Sequence, residues 1–385
     1  MIDKVKLPHR ASEITPFLVM DILEKAKKME AGGEDIVHLE VGEPDFDTPL
    51  SVREAAKEAI DRGQTGYAPS LGLPELREII SEDYNARYGV NITSERVIIT
   101  SGSSPALQMI FASLINEGDE VIMSNPHYAC YENFVKFFGG HARFVDLGEK
   151  EDFRLKSHAV SGKISKKTRA ILVNSPANPT GVVLSGSELE SICNLNVPVI
   201  SDEIYHGLTY EGDEHSVLEF SDDAFVVNGF SKRYAMTGWR LGYAIVPHDY
   251  IRPLQRLIQN FFISAPTISQ WGGLAALKYA GEDLQLMKEE FRKRRDYIVE
   301  GLGKMGLKLG ARPEGAFYVL VNVKDFTNDS LSFCYDLLDK GKVALTPGID
   351  FGSGGEGYVR LSYANSIERI GEGLQRIGKY LEMVS

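Results

Sequence analysis

Lys232 and Arg240 stand eight residues apart in the stretch Asn228–Tyr243, where short apolar runs flank both. A lysine amine condenses with an aldehyde to form a Schiff base, and an arginine fork suits a phosphate. Together they offer the covalent attachment and the phosphate clamp that pyridoxal phosphate requires. Taken alone, both residues could equally be solvated surface side chains, because most lysines and arginines are exposed.

Two further polar groups directly follow apolar, strand-like runs. Asn178 lies in the turn 174–181, and Asp202 follows the run 197–201. Ligands in open α/β sheets bind beyond the carboxyl ends of the strands. Asn178 is either a purely structural turn residue or also a donor to a ligand oxygen, and Asp202 is either a loop acid or the partner of a cation such as a protonated pyridine. Tyr205, three residues on, could reach the same ligand.

Two other strand ends carry candidate ligand groups. Ser103 and Ser104 open a predicted helix, where free backbone N–H groups and hydroxyls favour an anion, although ordinary serine capping explains them as well. Tyr128 follows the next strand and could stack on a flat ring or simply belong to the core.

Composition restricts the class of protein. The chain has 385 residues with 43% hydrophobic and 25% charged residues, which is typical of a globular enzyme with two domains. The net charge of -12 disfavours a general nucleic-acid or anionic-membrane binder. The three cysteines are far apart, so they indicate neither a disulfide framework nor a thiolate metal site. No run approaches the ~18 apolar residues of a membrane span, and residues 1–10 do not resemble a signal peptide, so a cytoplasmic location is expected.

The order of elements predicts an α/β protein. Strand-like runs at 97–100, 120–123, 169–174, 197–201, 225–227 and 241–246 alternate with helical segments, which indicates a mainly parallel sheet between helices. A long helical stretch is predicted over 267–301, and a smaller α+β domain after it. We therefore expect an N-terminal segment, 1–45, that packs on the small domain, a large domain at 46–280, and the small domain at 281–385.

Motifs spread over nearly the whole chain give a more specific indication. They are Gly42-Glu43-Pro44-Asp45-Phe46, Tyr67-Ala68-Pro69, Asn178-Pro179-Thr180-Gly181, Ser201-Asp202-Glu203-Ile204-Tyr205, Ser231-Lys232 and Val359-Arg360-Leu361-Ser362-Tyr363. In this order the chain resembles the class I/II aminotransferases of fold type I, and most of all the prokaryotic aspartate aminotransferase subgroup.

The resemblance implies a role for each candidate residue. Lys232 would hold the cofactor aldehyde as a Schiff base and later carry the substrate proton, while Asp202 would pair with the pyridine nitrogen. The other implied cofactor contacts are Asn178 and Tyr205 at the phenolic oxygen, Tyr128 stacked on the ring, Ser103, Ser104, Ser231 and Arg240 at the phosphate, and Tyr67 from the neighbouring subunit of a homodimer with shared active sites. Arg360, Gly42 and Asn178 would bind the substrate, with Arg360 on its α-carboxylate.

The resemblance also implies an activity. It is the ping-pong transfer of an amino group from an L-amino acid to a 2-oxo acid such as 2-oxoglutarate. A carbon–sulfur β-lyase on the same fold is the alternative, and a non-catalytic regulatory relative is disfavoured because Lys232, Asp202 and Arg360 are all present.

Two departures from the family pattern stand out. Gly229 occupies a position where many relatives carry a phosphate-binding serine. Ser104 stands where aspartate-specific members often carry a lysine for the second carboxylate. The amino donor is therefore open between aspartate, alanine-like, aromatic and broad specificity.

Overall fold

A computed structural model describes residues 8–384, apart from the side chain of His9. The strands within this range are β1 Val37–His38, β2 Val97–Thr100, β3 Glu120–Asn125, β4 His141–Asp146, β5 Thr168–Asn174, β6 Val199–Asp202, β7 Phe225–Gly229, β8 Gly242–Ile245, β9 Tyr318–Asn322, β10 Val343–Ala344, β11 Thr346–Pro347 and β12 Tyr358–Ser362.

The helices in the same range alternate with these strands over most of the chain. They are α1 His9–Ser12, α2 Leu18–Ala31, α3 Leu50–Asp61, α4 Pro74–Tyr88, α5 Ser103–Leu114, α6 Cys130–Phe137, α7 Ser157–Ser161, α8 Gly186–Cys193, α9 His248–Phe261, α10 Thr267–Tyr279, α11 Gly281–Lys304, α12 Ser330–Gly341 and α13 Ile367–Val384.

The largest sheet has seven strands in the order β2-β8-β7-β6-β5-β3-β4. The pairs β7–β6, β6–β5, β5–β3 and β3–β4 are parallel, whereas β8 runs antiparallel to both of its neighbours. The prediction of a mainly parallel α/β sheet is thus confirmed, and the carboxyl ends of β3, β5, β6 and β7 meet at one edge.

Side chains alternate between the two faces of this sheet. Ile98 belongs to one apolar cluster and its neighbours Val97 and Ile99 to another. Both clusters are completed by helices, so the strands are buried on each side. This burial is the reason that their sequences read as continuous apolar runs.

A third apolar cluster joins the beginning and the end of the chain. Ile22 and Val37 pack in it with Phe317, Val343 and side chains of α13. β1 pairs in parallel with β10, and β11, β12 and β9 form an antiparallel sheet. These contacts agree with an N-terminal segment lying on the C-terminal region, while the domain boundaries at residues 45 and 280 stay predictions.

One expected element differs from the structure. The helical stretch predicted over 267–301 is two helices, α10 and α11, separated at Ala280. Ala280 is buried against the large-sheet core, and its backbone caps α10 through the carbonyl of Ala276. Ala280 departs from helical geometry, with φ -98° and ψ 24°, and Gly281, a residue of low helix propensity, begins α11. Within residues 8–384, no helix combines the length and the apolar character needed to cross a membrane.

Candidate active site

A cavity of about 360 Å³ opens at the edge where the parallel strands end. Asn174 ends β5, Asp202 ends β6, and Ser231 and Lys232 follow β7. The cavity is lined by Phe17, Val19, Met20, Leu23, Val41, Gly42, Glu43, Ser103, Ser104, Tyr128, Tyr131, Asn174, Asn178, Asp202, Ile204, Tyr205, Ser231, Lys232, Thr237, Arg240, Tyr318 and Arg360. Every predicted site residue except Tyr67 is among them.

Lys232 reaches across the cavity toward the N-terminal segment. Its Nζ donates a hydrogen bond to the carbonyl oxygen of Gly42 at 2.6 Å. A side chain at position 42 would collide with the hydroxyl of Tyr318, so glycine permits the close approach of Tyr318 to this segment. Burial lowers the pKa of Lys232 from 10.5 to about 8; Glu43 opposes this shift, and the charges of Arg360 and Arg240 add to it. A neutral, nucleophilic amine is therefore accessible near neutral pH.

Asp202 is a buried carboxylate at the end of β6. Its Oδ2 accepts a hydrogen bond from the Tyr131 hydroxyl at 2.6 Å, and its Oδ1 accepts one from the backbone N–H of Ile204 at 3.2 Å. Burial raises the pKa of Asp202 from 3.8 to about 6, although both hydrogen bonds and the charge of Lys232 oppose that shift. A cation brought into the cavity would offset the cost of keeping this carboxylate ionised.

The hydroxyl and guanidinium groups predicted for phosphate binding all line the cavity, and three of them lie at the start of α5. Ser103 and Ser104 form the first turn of α5, and Arg240 lies beside it. At Gly102, which has φ +109, a Cβ would lie 2.6 Å from Nη2 of Arg240. The missing side chain therefore lets the guanidinium approach the start of the helix, where N–H groups and helix dipole favour an anion.

Arg360, on β12, lines the same cavity. Its Nη1 donates to Oδ1 of Asn178 at 2.9 Å, and its Nη2 donates to the carbonyl of Glu40 and to the hydroxyl of Thr346. The guanidinium lies 4.2 Å from the ring centre of Tyr318, and its buried Nε has no hydrogen-bond partner among residues 8–384. Arg360 is thus a fixed cation with a donor to spare, as carboxylate binding requires.

Tyrosine side chains form another part of the cavity wall. The hydroxyls of Tyr205 and Tyr318 are 2.9 Å apart, and Tyr128 packs edge-on against Tyr131 and Phe17. The amide oxygen of Asn178 accepts from Arg360, so the amide nitrogen is the group that can donate to a ligand. Such a donor is what the expected contact of Asn178 with the phenolic oxygen of the cofactor needs.

Two positions that the sequence analysis discussed, the predicted contact Tyr67 and the departure Gly229, lie outside this cavity. Tyr67 is 82% exposed, so its expected contact with a neighbouring subunit's phosphate stays a prediction. Gly229 is buried in β7, paired with Gly242 of β8, and a Cβ there would lie 3.1 Å from the carbonyl oxygen of Leu241. The same Cβ would lie 3.2 Å from the Cα of Gly242, so a larger residue would press on the neighbouring strand.

The residues of the cavity fit pyridoxal phosphate. A lysine with a lowered pKa, a buried carboxylate with its charge uncompensated, and an anion-binding helix start line one space. These are the complements of an aldehyde, a pyridinium and a phosphate, respectively. When bound, this cofactor supplies an electron sink for the substrate α-carbon.

Several residues were not predicted from the sequence. Tyr131 donates to Asp202, Asn174 donates to the Asp202 carbonyl and accepts from the Asn178 N–H, and the Glu40 carbonyl accepts from Arg360. Asn174 begins the motif that contains Asn178, so its position was a usable signal. The other contacts join residues far apart in the chain, and no local pattern indicates them.

Comparisons with known proteins agree with this geometry. The family described as aminotransferase class I and II matches residues 34–377. The (5-formylfuran-3-yl)methyl phosphate transaminase of Methanocaldococcus jannaschii is 44% identical, over 97% of this chain and 99% of the relative. The aspartate/prephenate aminotransferase of Thermus thermophilus is 39% identical, over 97% of this chain and 98% of the relative.

A solved structure extends the likeness to the fold. The aspartate aminotransferase of Thermus thermophilus, determined with maleate, superposes with a TM-score of 0.94 at 38% identity, and the match covers 98% of this chain and 100% of that one. The chain therefore belongs to the class I and II aminotransferases, which are pyridoxal-phosphate-dependent enzymes of fold type I.

Proposed function

We propose that this aminotransferase moves the amino group of an L-amino acid with an apolar or aromatic side chain to 2-oxoglutarate by a ping-pong mechanism. The observation that carries the choice of donor is the apolar wall of the cavity. Phe17 and the first turns of α2 supply four of its lining residues, namely Phe17, Val19, Met20 and Leu23.

The charges of the cavity support the same choice. Its lining cations are Lys232, Arg240 and Arg360, and each has a proposed task at the cofactor or at the substrate α-carboxylate. Within its own subunit, a second carboxylate on the donor would therefore lack a dedicated cation, and burying an unpaired charge is costly. Ser104 lies where a lysine would supply that cation.

The acceptor rests on the resemblance to aspartate-type enzymes rather than on a contact in the cavity. The names of the two relatives differ in substrate, so they do not fix it. Tyr67, with its exposed ring, supports a homodimer in which each subunit completes the other's site, and the hydrodynamic mass of the purified protein tests that assembly.

A panel of donors and acceptors tests the proposal. Phenylalanine, alanine, valine and aspartate are each incubated with 2-oxoglutarate, pyruvate or the phosphorylated furan aldehyde for which one relative is named, and amino-group transfer is measured by mass spectrometry. We expect kcat/KM with 2-oxoglutarate to be at least about tenfold higher for an apolar donor than for aspartate. Preference for aspartate contradicts the donor, failure with 2-oxoglutarate contradicts the acceptor, and release of pyruvate and ammonia from cystathionine without transfer would indicate a β-lyase.

A matched pair of variants sharpens the test. Ser104→Lys places a cation at the cavity and is expected to increase kcat/KM for aspartate relative to phenylalanine. Asn116→Lys adds the same charge at an exposed position just after α5 and is expected to leave the ratio unchanged. Equal effects of both variants would show that net charge, rather than a contact at Ser104, sets the preference.

A further inference from the structure

We propose that Tyr131 is a positioning residue that keeps the Asp202 carboxylate ionised and directed at the ring nitrogen of the bound cofactor. Its hydroxyl donates to Oδ2 of Asp202 at 2.6 Å, and both residues are buried, with 2% and 4% of their surfaces exposed. The second carboxylate oxygen is held by the backbone N–H of Ile204. Two donors from different elements thus fix the plane of the carboxylate.

Tyr131 also contacts the residue expected to cover the cofactor ring. Its own ring lies edge-on to Tyr128, with centroids 5.3 Å apart and planes at 80°. Tyr128 in turn packs edge-on against Phe17, which immediately precedes α2. One side chain at the start of α6 therefore sets the position of the carboxylate relative to the stacking face.

The hydrogen bond has a direct electrostatic consequence. A carboxylate and a pyridine nitrogen share one proton, and burial favours the neutral pair in which the proton lies on the carboxyl oxygen. A donor to the carboxylate stabilises its ionised form and so retains the proton on nitrogen. Burial raises the pKa of Tyr131 well above its usual value, so the phenol stays protonated and remains a donor.

The inference rests on the proposed pairing of Asp202 with the ring nitrogen, and one experiment separates the two. The enzyme is reconstituted with pyridoxal phosphate labelled with ¹⁵N in the ring, and the ¹⁵N chemical shift is measured by solid-state NMR together with the dissociation constant of the cofactor. A wild-type shift typical of an unprotonated pyridine would contradict the role of Asp202 and the inference with it.

If the ring nitrogen is protonated in the wild-type enzyme, the Tyr131→Phe variant tests the role of Tyr131. We expect the shift to move toward that of neutral pyridine and the dissociation constant to rise about tenfold, the loss typical of a hydrogen bond to a charged group. An unchanged shift and affinity would refute the role of Tyr131 while leaving that of Asp202 intact. If Tyr131→Phe does not fold, Tyr131→Leu removes the donor as well, and the same two measurements apply.

Tyr380→Phe is the matched control. The Tyr380 hydroxyl donates to Oδ2 of Asp336 at 2.8 Å, on α13 and α12, and neither residue lines the cavity. This variant loses the same kind of tyrosine–carboxylate bond, so we expect its ¹⁵N shift and cofactor affinity to equal those of the wild type. Equal changes in both variants would attribute the effect to general loosening of the fold and would overturn the proposal.

Discussion

Asp202 and Glu203 are consecutive buried carboxylates with opposite surroundings. Asp202 accepts two hydrogen bonds and lines the cavity. Glu203 is 0% exposed and accepts from the hydroxyls of Tyr84, Ser201 and Ser216 and from the backbone N–H of Val217. Glu203 is thus enclosed by protein donors, whereas Asp202 keeps unused acceptor capacity that faces open space.

The contrast separates two uses of a buried charge. A carboxylate whose lone pairs are occupied by protein donors ties elements together, here α4, β6 and the loop before residue 217. A buried carboxylate with unused hydrogen-bond acceptor sites at a cavity destabilises the folded protein until a ligand supplies the missing partner. We therefore expect substitutions on the cavity side to change chemistry and those around Glu203 to change stability.

The largest effect is expected from Lys232→Ala. The amine that would attack the cofactor aldehyde and carry the proton is removed, so kcat/KM should fall by at least about 10⁴-fold. Within the described part of the chain the Lys232 side chain makes one hydrogen bond, to Gly42, so the melting temperature of the apoprotein should stay within about 3 °C of wild type. Steady-state transamination and calorimetry measure the two quantities, and retained turnover would rule out this lysine as the catalytic base.

The next largest effect is on kcat when each of the two carboxylates is replaced by its isosteric amide. Asp202→Asn removes the charge that we propose to face the ring nitrogen and should lower kcat about 100-fold or more. Glu203 does not line the cavity, and its charge adds to the raised pKa of Asp202. Glu203→Gln therefore favours the ionised form of Asp202 and should keep kcat within about threefold of wild type. A loss of activity in Glu203→Gln as large as that in Asp202→Asn would break the distinction between them.

The same pair should differ in stability with opposite signs. Glu203→Gln replaces an acceptor by an amide donor beside the Tyr84 hydroxyl, which already accepts from Asn228, so the free energy of unfolding should fall by about 1–3 kcal/mol. Burial raises the pKa of Asp202 to about 6, which means that its charge destabilises the apoprotein at pH 7. Asp202→Asn should therefore raise the free energy of unfolding by about 1–3 kcal/mol at pH 7.

The pH dependence of the free energy of unfolding checks the sign of the effect expected for Asp202→Asn. As pH falls through about 6, the folded protein protonates Asp202 before the unfolded chain does, so the penalty shrinks and is gone below the unfolded pKa of 3.8. The advantage of Asp202→Asn over wild type should consequently disappear between pH 7 and pH 4. Urea unfolding of the two apoproteins at several pH values measures it, and an advantage that grows on acidification would contradict the assignment.

The sequence alone predicted the strands and the polar residues at their carboxyl ends, because buried parallel strands leave continuous apolar runs and ligand groups follow them directly. It could not decide whether Asp202 was a loop acid or a ligand group. That depends on Tyr131 and on the cavity, and the enclosure of Glu203 depends on Tyr84, 119 positions away. Such contacts leave no local pattern, so the structure was required to distinguish two adjacent acids.

The family resemblance predicted some features of the candidate site and missed others. It placed Arg360 at the substrate, and the structure brings Arg360 within 2.9 Å of Asn178, 182 positions away. It did not reveal Tyr131 or the apolar wall from Phe17 to Leu23, since those depend on how α2 and α6 pack over the sheet edge.

The smallest predicted effect concerns the pH at which the apoenzyme takes up its cofactor. Lys232 must be neutral to react with the aldehyde, and its pKa is lowered to about 8. The second-order rate constant for pyridoxal phosphate uptake, measured by stopped-flow absorbance, should rise about tenfold from pH 7 to pH 9 and level off above pH 9.

Two variants test whether the midpoint of this pH profile reports Lys232. Glu43→Gln should lower the midpoint, because Glu43 is the main charge that raises the pKa of Lys232. Glu203→Gln should leave the midpoint near pH 8, since Glu203 is enclosed by its own donors, and a common midpoint near 10 in all three proteins would mean that the cavity does not lower the pKa of Lys232.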